Sequence, residues 1–248
     1  MKNMLNKVPE ITLFFWIIKI LATTVGETAA DFLSETLKLG LTPTSIVMSA
    51  LLLIVLIIQL RSEKYIPAIY WLAVVLLSVV GTLISDNLVD NLGVSLTTSS
   101  ILFGSALALV FVWWYLSEKT LSVHSIITTK KELFYWAAIL FTFSLGTSAG
   151  DLVAESSGIG YAYSALLFAA IIGLVFLAHY YLKMNSILSF WIAYILTRPL
   201  GASTGDLLSQ QVSDGGIGLG TTVTSTIFLF TILSLVVYLS IKQKEKLI

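Results

Sequence analysis

WAAILFTFSLGTSAGDLVAE, residues 136–155, contains the pattern that decides the fold. Trp136 is followed ten residues later by Gly146, and five residues beyond that by Asp151. The same spacing recurs as Trp16–Gly26–Asp31, Trp71–Gly81–Asp86 and Trp191–Gly201–Asp206. Three copies add a second acid four residues after the aspartate: Glu35, Asp90 and Glu155. The fourth copy has Gln210 there. Self-similarity at a fixed period marks an architecture built by repeating one supersecondary unit. The tryptophans stand at 16, 71, 136 and 191, giving periods of 55, 65 and 55 residues.

The sequence around the motif is apolar. Of 248 residues, 57% are hydrophobic and 11% charged, and the mean hydropathy is +0.94. Soluble domains carry about 25% charged residues, so the composition is that of an integral membrane protein. Net charge is zero, which implies no bulk attraction to nucleic acid. There is no cysteine, which excludes disulfides, thiolate metal sites and thiol redox chemistry.

A membrane span needs about 20 mainly apolar residues. Eight stretches meet this, at about 11–35, 44–60, 66–90, 96–117, 133–155, 161–182, 187–210 and 221–241. The first follows Lys2 and Lys7 but ends in no convincing cleavage site, so it reads as a retained helix and not a signal peptide. The motif falls in every odd span, and a plainer span follows each time. The expected fold is therefore all-α: eight transmembrane helices forming four two-helix repeats, at about 8–62, 63–117, 130–184 and 185–241. They form one polytopic domain over 1–248, its two halves joined by the linker 118–132.

Loop charge predicts orientation. Lys2, Lys7, Arg61, Lys64, Lys119, Lys130, Lys131, Lys183, Lys242, Lys244 and Lys246 fall on one side, and only Lys38 on the other. Both termini are thus expected in the cytoplasm of a bacterial plasma membrane. All four repeats then start on the same side. They are parallel, related by a pseudo-symmetry axis along the membrane normal. The motif tryptophans lie just after the inner charges and read as interfacial anchors.

At 1.5 Å per residue, each motif glycine stands roughly 15 Å above its tryptophan and each aspartate roughly 22 Å. A small residue follows each glycine by four: Ala30, Ser85, Gly150 and Gly205. This small-xxx-small stripe through Gly26, Gly81, Gly146 and Gly201 is expected to pack the odd helices together. A polar stripe runs beside it. It reads Glu27, Asp31, Glu35; Thr82, Asp86, Asp90; Thr147, Asp151, Glu155; and Ala202, Asp206, Gln210. Spacing of four keeps such residues on one helix face. The outer acids also suit a plainer role as solvated caps of the turns. Asp31, Asp86, Asp151 and Asp206 lie deeper, where an ionisable group costs about 2.5–3.5 kcal/mol and is functional by default.

Two cations also fall inside odd spans, Lys19 and Arg198. Lys19 is expected to snorkel to the inner interface. Arg198 lies deeper, can reach a stripe acid, and precedes Pro199, which should bend span seven. Both cations and the proline are candidates for gating or charge coupling.

Four equivalent aspartates at one depth form a ring that attracts cations. Oxygen ligands suit Mg²⁺, Ca²⁺ or Mn²⁺, and clustered carboxylates compete for protons. The predicted function is transport of a hard divalent cation, with possible exchange for protons. The ligands would be Asp31, Asp86, Asp151 and Asp206, with Glu27, Glu35, Asp90 and Glu155. The bound partners expected are the lipid bilayer and an inorganic cation, with no resident cofactor and no nucleic acid. A cation channel and a non-transporting assembly module remain the alternatives. No nucleophile–histidine arrangement lies in the spans, so an enzyme is not expected.

Segments such as Gly146-Thr147-Ser148-Ala149-Gly150-Asp151-Leu152 and Ser203-Thr204-Gly205-Asp206-Leu207 resemble a family of bacterial "uncharacterised membrane-anchored proteins". That family is built from a repeat of unknown function. The resemblance covers nearly the whole chain and implies the four-repeat architecture, without a substrate. A shorter likeness links Gly146-Thr147-Ser148 to the Gly-Thr-Ser-x-Pro-Glu repeats of cation antiporters. Gly150-Asp151 stands here in place of Pro-Glu, and those repeats are inverted, so the likeness extends to cation chemistry alone.

Overall fold

The computed structural model describes residues 6–245. Lys2 and Lys246 of the charge count lie outside them, as does the Lys244 side chain. Among the described residues eight α-helices make the fold: α1 (Leu13–Asp31), α2 (Leu41–Arg61), α3 (Pro67–Asp86), α4 (Leu96–Glu118), α5 (Thr129–Asp151), α6 (Gly160–Tyr181), α7 (Ser186–Ser209) and α8 (Thr221–Glu245). No strand occurs among the described residues. Local signals explain the starts. Pro67 opens α3 at a position where its missing N–H costs nothing. The side chains of Ser95, Thr128 and Asn185 accept backbone N–H bonds at the starts of α4, α5 and α7.

Seven of the eight helices are long and apolar enough to cross a membrane. The exception is α7, which is long enough at 24 residues but not apolar enough, because it carries Arg198, Pro199, Asp206 and a run of small and hydroxyl residues. It compensates by burial. Most of the residues from Phe190 to Asp206 are shielded by neighbouring helices.

The odd helices pack in a closed cycle: α1 on α3, α3 on α5, α5 on α7, and α7 back on α1. The even helices lie outside this ring and present large apolar side chains outward, such as Ile54 on α2, Leu109 on α4, Phe176 on α6 and Phe230 on α8. A helix apolar all round suits lipid. Each even helix leans on the odd helix that follows it in the cycle: α2 on α3, α4 on α5, α6 on α7, α8 on α1. The two helices of one sequence repeat are thus not the closest pair in space.

Hydroxyl pairs hold three of these contacts. Ser99 bonds Ser148 at 2.7 Å, Ser164 bonds Ser203 at 2.8 Å, and Ser225 bonds Thr28 at 2.7 Å. Thr28, Ser148 and Ser203 all stand two residues after a motif glycine; the fourth such position is Leu83, which cannot pair. Interhelical hydrogen bonds between buried side chains contribute about 0.6 kcal/mol each in membrane proteins. Each of Ser99→Ala, Ser164→Ala and Ser225→Ala should lower stability in detergent by about that amount, read from thermal melting.

One end of the ring is closed by aromatic side chains. The motif tryptophans belong to this layer, and the anchor expectation needs correcting. Trp71, Trp136 and Trp191 are 1%, 4% and 4% exposed, and only Trp16 is half-buried. Trp191 donates to the Leu121 carbonyl at 2.9 Å and Trp71 to the Tyr65 hydroxyl at 3.2 Å. The cause is the ring itself. It turns these faces inward, where an indole buries a large area and satisfies its N–H on protein. The exposed aromatics at this end include Trp113, Tyr115, Tyr180 and Tyr181, on the outer helices.

A buried ion pair fastens the same end. Lys7, counted above among loop charges, is 1% exposed and Glu132 likewise 1%. Lys7 Nζ donates to Glu132 Oε2 at 2.7 Å and to the Leu60 carbonyl at 2.9 Å, and Gln59 donates to Glu132 Oε1 at 3.0 Å. The pair joins the chain before α1, the end of α2 and the start of α5. Removing one partner strands a buried charge. Lys7→Met should therefore lower stability by about 3 kcal/mol, whereas adding Glu132→Leu should recover much of the loss; melting curves of the two variants check this.

Candidate functional site

The site is organised by level along the ring axis, starting at the motif glycines. Each glycine faces the next helix of the cycle so closely that no side chain fits. A Cβ on Gly26 would lie 2.9 Å from the Ser78 backbone carbon of α3. One on Gly81 would lie 2.6 Å from Phe143 Cβ of α5. One on Gly146 would lie 2.5 Å from Arg198 Cβ of α7, and one on Gly201 2.5 Å from Thr23 Cβ of α1. The neighbours touched, Ser78, Phe143, Arg198 and Thr23, all stand three residues before a motif glycine. The contact is one interface used four times around the ring. Pro199 packs into it against Gly146 and Gly150, and α7 continues through the proline as a single helix. Gly205 likewise lies against Glu27 and Thr28 of α1.

Arg198 crosses the ring at this level. It is 0% exposed. Its Nη1 donates to the Thr23 carbonyl at 2.6 Å. Its Nη2 reaches Glu27 Oε2 at 2.6 Å, Thr147 Oγ1 at 2.7 Å, and Thr82 Oγ1. Glu27, Thr82 and Thr147 are the residues directly after the first three motif glycines; the fourth such residue is Ala202. Sequence reasoning gave Arg198 an acid in reach but missed Thr23, Thr82 and Thr147. The signal was the polar character of three of those four positions.

Lys19 lies nearer the aromatic end and does not snorkel. It is 0% exposed. Its Nζ donates to Thr197 Oγ1 at 3.2 Å and sits 4.2 Å from the centroids of both Phe143 and Tyr194. The snorkelling expectation fails because α1 is an inner helix. Its neighbours cover the side chain along its length, and two aromatic faces and the Thr197 hydroxyl surround its Nζ in place of water.

Beyond Arg198 the ring opens into a cavity of about 180 Å³. Its walls bring together Glu27, Asp31, Glu35, Asp86, Asp90, Asp151, Glu155 and Asp206, with Gln210 and Tyr161. Exposure rises outward. Glu27 and Asp206 are buried; Asp31, Asp86 and Asp151 are half-buried; Glu35, Asp90 and Glu155 are exposed. The cavity is a funnel of carboxylates narrowing to the Arg198–Glu27 pair. Among the described residues no three of these carboxylates close on one point tightly enough to hold a metal ion.

The rim has its own local structure. Directly after Asp31, Asp86 and Asp151 the helix widens into a π-helical turn: Phe32–Thr36, Asn87–Asn91 and Leu152–Ser156. Each turn carries the second acid of its repeat. Such turns are rare and concentrate at functional sites. α7 has none; it stays α-helical to Ser209 and then leaves the helix at Gln210. The repeat lacking the second acid therefore also lacks the widened turn. Tyr161 donates to Glu155 Oε1 at 3.1 Å and fixes that carboxylate at the rim.

Seven apolar helices, with one contact surface repeated around a central ring, are consistent with a multi-pass membrane protein built by internal duplication. The chain belongs to the family described as Repeat of Unknown Function (DUF347), which matches it four times, at residues 14–65, 69–120, 134–185 and 189–245. No curated protein and no solved structure matches it.

Proposed function

We propose that the chain transports a hard cation of the Mn²⁺, Mg²⁺ or Ca²⁺ class across a bacterial plasma membrane. In this reading both termini face the cytoplasm, and the four repeats are parallel around an axis along the membrane normal. The acid-lined cavity faces outward. One observation carries the proposal: eight carboxylates from four separate repeats line a single cavity. Holding so many like charges in an apolar protein is costly unless a cation offsets them. The spread of the carboxylates suits an ion that keeps part of its water, as small hard divalent ions do. A second cavity, of about 530 Å³ and lined by Glu10, Phe15, Tyr65, Trp71 and Lys242, lies at the opposite end of the ring. The aromatic layer, Lys19 and Arg198 lie between the two. This arrangement supports the reading of a carrier shut in the middle.

The test is flux. Purified protein in liposomes should move Mn²⁺, and a proton gradient of the right sign should accelerate the movement if protons are exchanged. Flux independent of that gradient would make the protein a channel. A second reading, a non-transporting membrane module, draws on the buried Arg198–Glu27 pair and the interhelical hydroxyl bonds, which tie helices together without any ion. Melting with and without Mn²⁺ separates the readings, because an ion bound only by the folded state raises the melting temperature. No shift and no flux would favour the module.

A further inference from the structure

The floor of the acidic cavity is an oxygen cage that already contains a cation. Four oxygens converge on one guanidinium: Glu27 Oε2, Thr82 Oγ1, Thr147 Oγ1 and the Thr23 carbonyl. Carboxylate, hydroxyl and carbonyl oxygens are the ligand types of a hard cation site. They are also crowded to one side. Nη2 faces Glu27, Thr82 and Thr147 together, while the buried Nε has no partner. Ordinary arginine recognition uses the fork evenly. Repeat four supplies the occupant where the others supply ligands: Ala202 replaces the polar residue after the glycine, and Arg198 comes from the same helix. Gly146 admits its stem, since a side chain there would overlap Arg198 Cβ at 2.5 Å. Glu27 faces both ways, bonded to Arg198 and lining the cavity.

We propose that Arg198 is a tethered counter-cation occupying a cation site formed by Glu27, Thr82, Thr147 and the Thr23 carbonyl, and that a cation entering from the acidic funnel must displace it to pass. The inference rests on the cation-transport reading and adds its gate. The stem of Arg198 is tethered to α7, so it leaves this site only by moving. The tether sets a threshold: a cation too weakly charged to compete for Glu27 stays in the funnel. The occupant thereby selects for divalent ions and closes the leak to monovalent ones.

The experiment titrates MnCl₂ into the full-length protein in detergent and reads the half-maximal rise in melting temperature. Arg198→Gln vacates the cage and should lower the half-maximal Mn²⁺ concentration at least ten-fold. Adding Glu27→Gln to that variant should remove the gain. Thr82→Val with Thr147→Val keeps the charge but unseats Arg198, and covers the case in which Arg198→Gln does not fold. It should pass Na⁺ in liposomes that wild type excludes. A folded Arg198→Gln variant that binds Mn²⁺ no more tightly than wild type overturns the proposal. So does a failed Arg198→Gln fold combined with unchanged Na⁺ exclusion in the double valine variant. Wild-type Mn²⁺ flux alongside either result leaves cation transport standing and removes only the gate. Absence of both Mn²⁺ binding and Mn²⁺ flux in wild type removes both.

Discussion

Gly201→Leu should abolish the folded protein. The glycine closes the ring, because α7 meets α1 there and no other pair of helices joins the last repeat to the first inside the cycle. A Cβ alone would come within 2.5 Å of Thr23 Cβ and 2.9 Å of the Thr24 backbone nitrogen. Helix backbone cannot swing aside as the tip of a side chain can. Overpacking a filled interior costs about 1–3 kcal/mol per modest insertion, and more when backbone must move. Leucine adds four carbons where the first already collides. Separating α1 from α7 also breaks the Arg198–Glu27 pair, leaving both charges buried and alone, a further cost of about 3–5 kcal/mol. The expected result is aggregated protein on size exclusion in detergent, at expression levels where wild type elutes as one species. Gly173→Leu is the control, because nothing lies within 4 Å of a Cβ on that glycine of the outer helix α6. Its elution should match wild type. Equal behaviour of the two variants would mean that the ring does not close through Gly201.

That contrast also marks what the sequence makes legible. The glycine spacing is local, so the interface could be read from one repeat and copied to the others. The partner of each surface could not. Which odd helix follows which around the ring depends on long-range packing, and so does the choice of the next odd helix by each even one. Arg198 illustrates the consequence. Its depth was visible, but its cage comes from α1, α3 and α5 together, and only the closed cycle brings those three helices to one point. Lys19 and the motif tryptophans were misread for a related reason. Snorkelling and interfacial anchoring describe helices that face lipid. The sequence gives the distance of a residue from the end of its span, and says nothing about whether that face meets lipid or protein. Lys7 does stand in the segment before α1, where the loop-charge count put it, but its burial was not legible: only the fold brings Glu132 to it, across 125 residues of chain. The acids are the opposite case. Their register along one face was local, and all eight line one cavity.

Replacing Asp31, Asp86, Asp151 and Asp206 together by asparagine should reduce Mn²⁺ flux in liposomes to the leak of protein-free vesicles, while leaving the protein folded. Both halves follow from the same physics. The four residues line the funnel inward of the exposed rim acids and above Arg198, with Asp206 more deeply buried than the other three. An ion bound for the floor must pass them. Asparagine keeps the shape and one carbonyl oxygen but removes four negative charges, and the attraction of the rim acids then has nothing to continue it inward. Coulomb energy between unit charges about 4 Å apart is near 4 kcal/mol at an effective dielectric of 20, so each aspartate lost removes a large part of the field that draws a divalent ion down the funnel. Stability should move the other way. A carboxylate at membrane depth costs about 2.5–3.5 kcal/mol, and four crowded together repel one another, so the neutral variant should melt at or above the wild-type temperature in the absence of Mn²⁺. Mn²⁺ itself should no longer raise that temperature. A folded, stable variant that has lost both flux and its response to Mn²⁺ is the outcome specific to a transport ring. Aspartates that served only as structural caps would give a different result: asparagine caps about as well as aspartate, so flux, melting temperature and the response to Mn²⁺ would all stay near wild type.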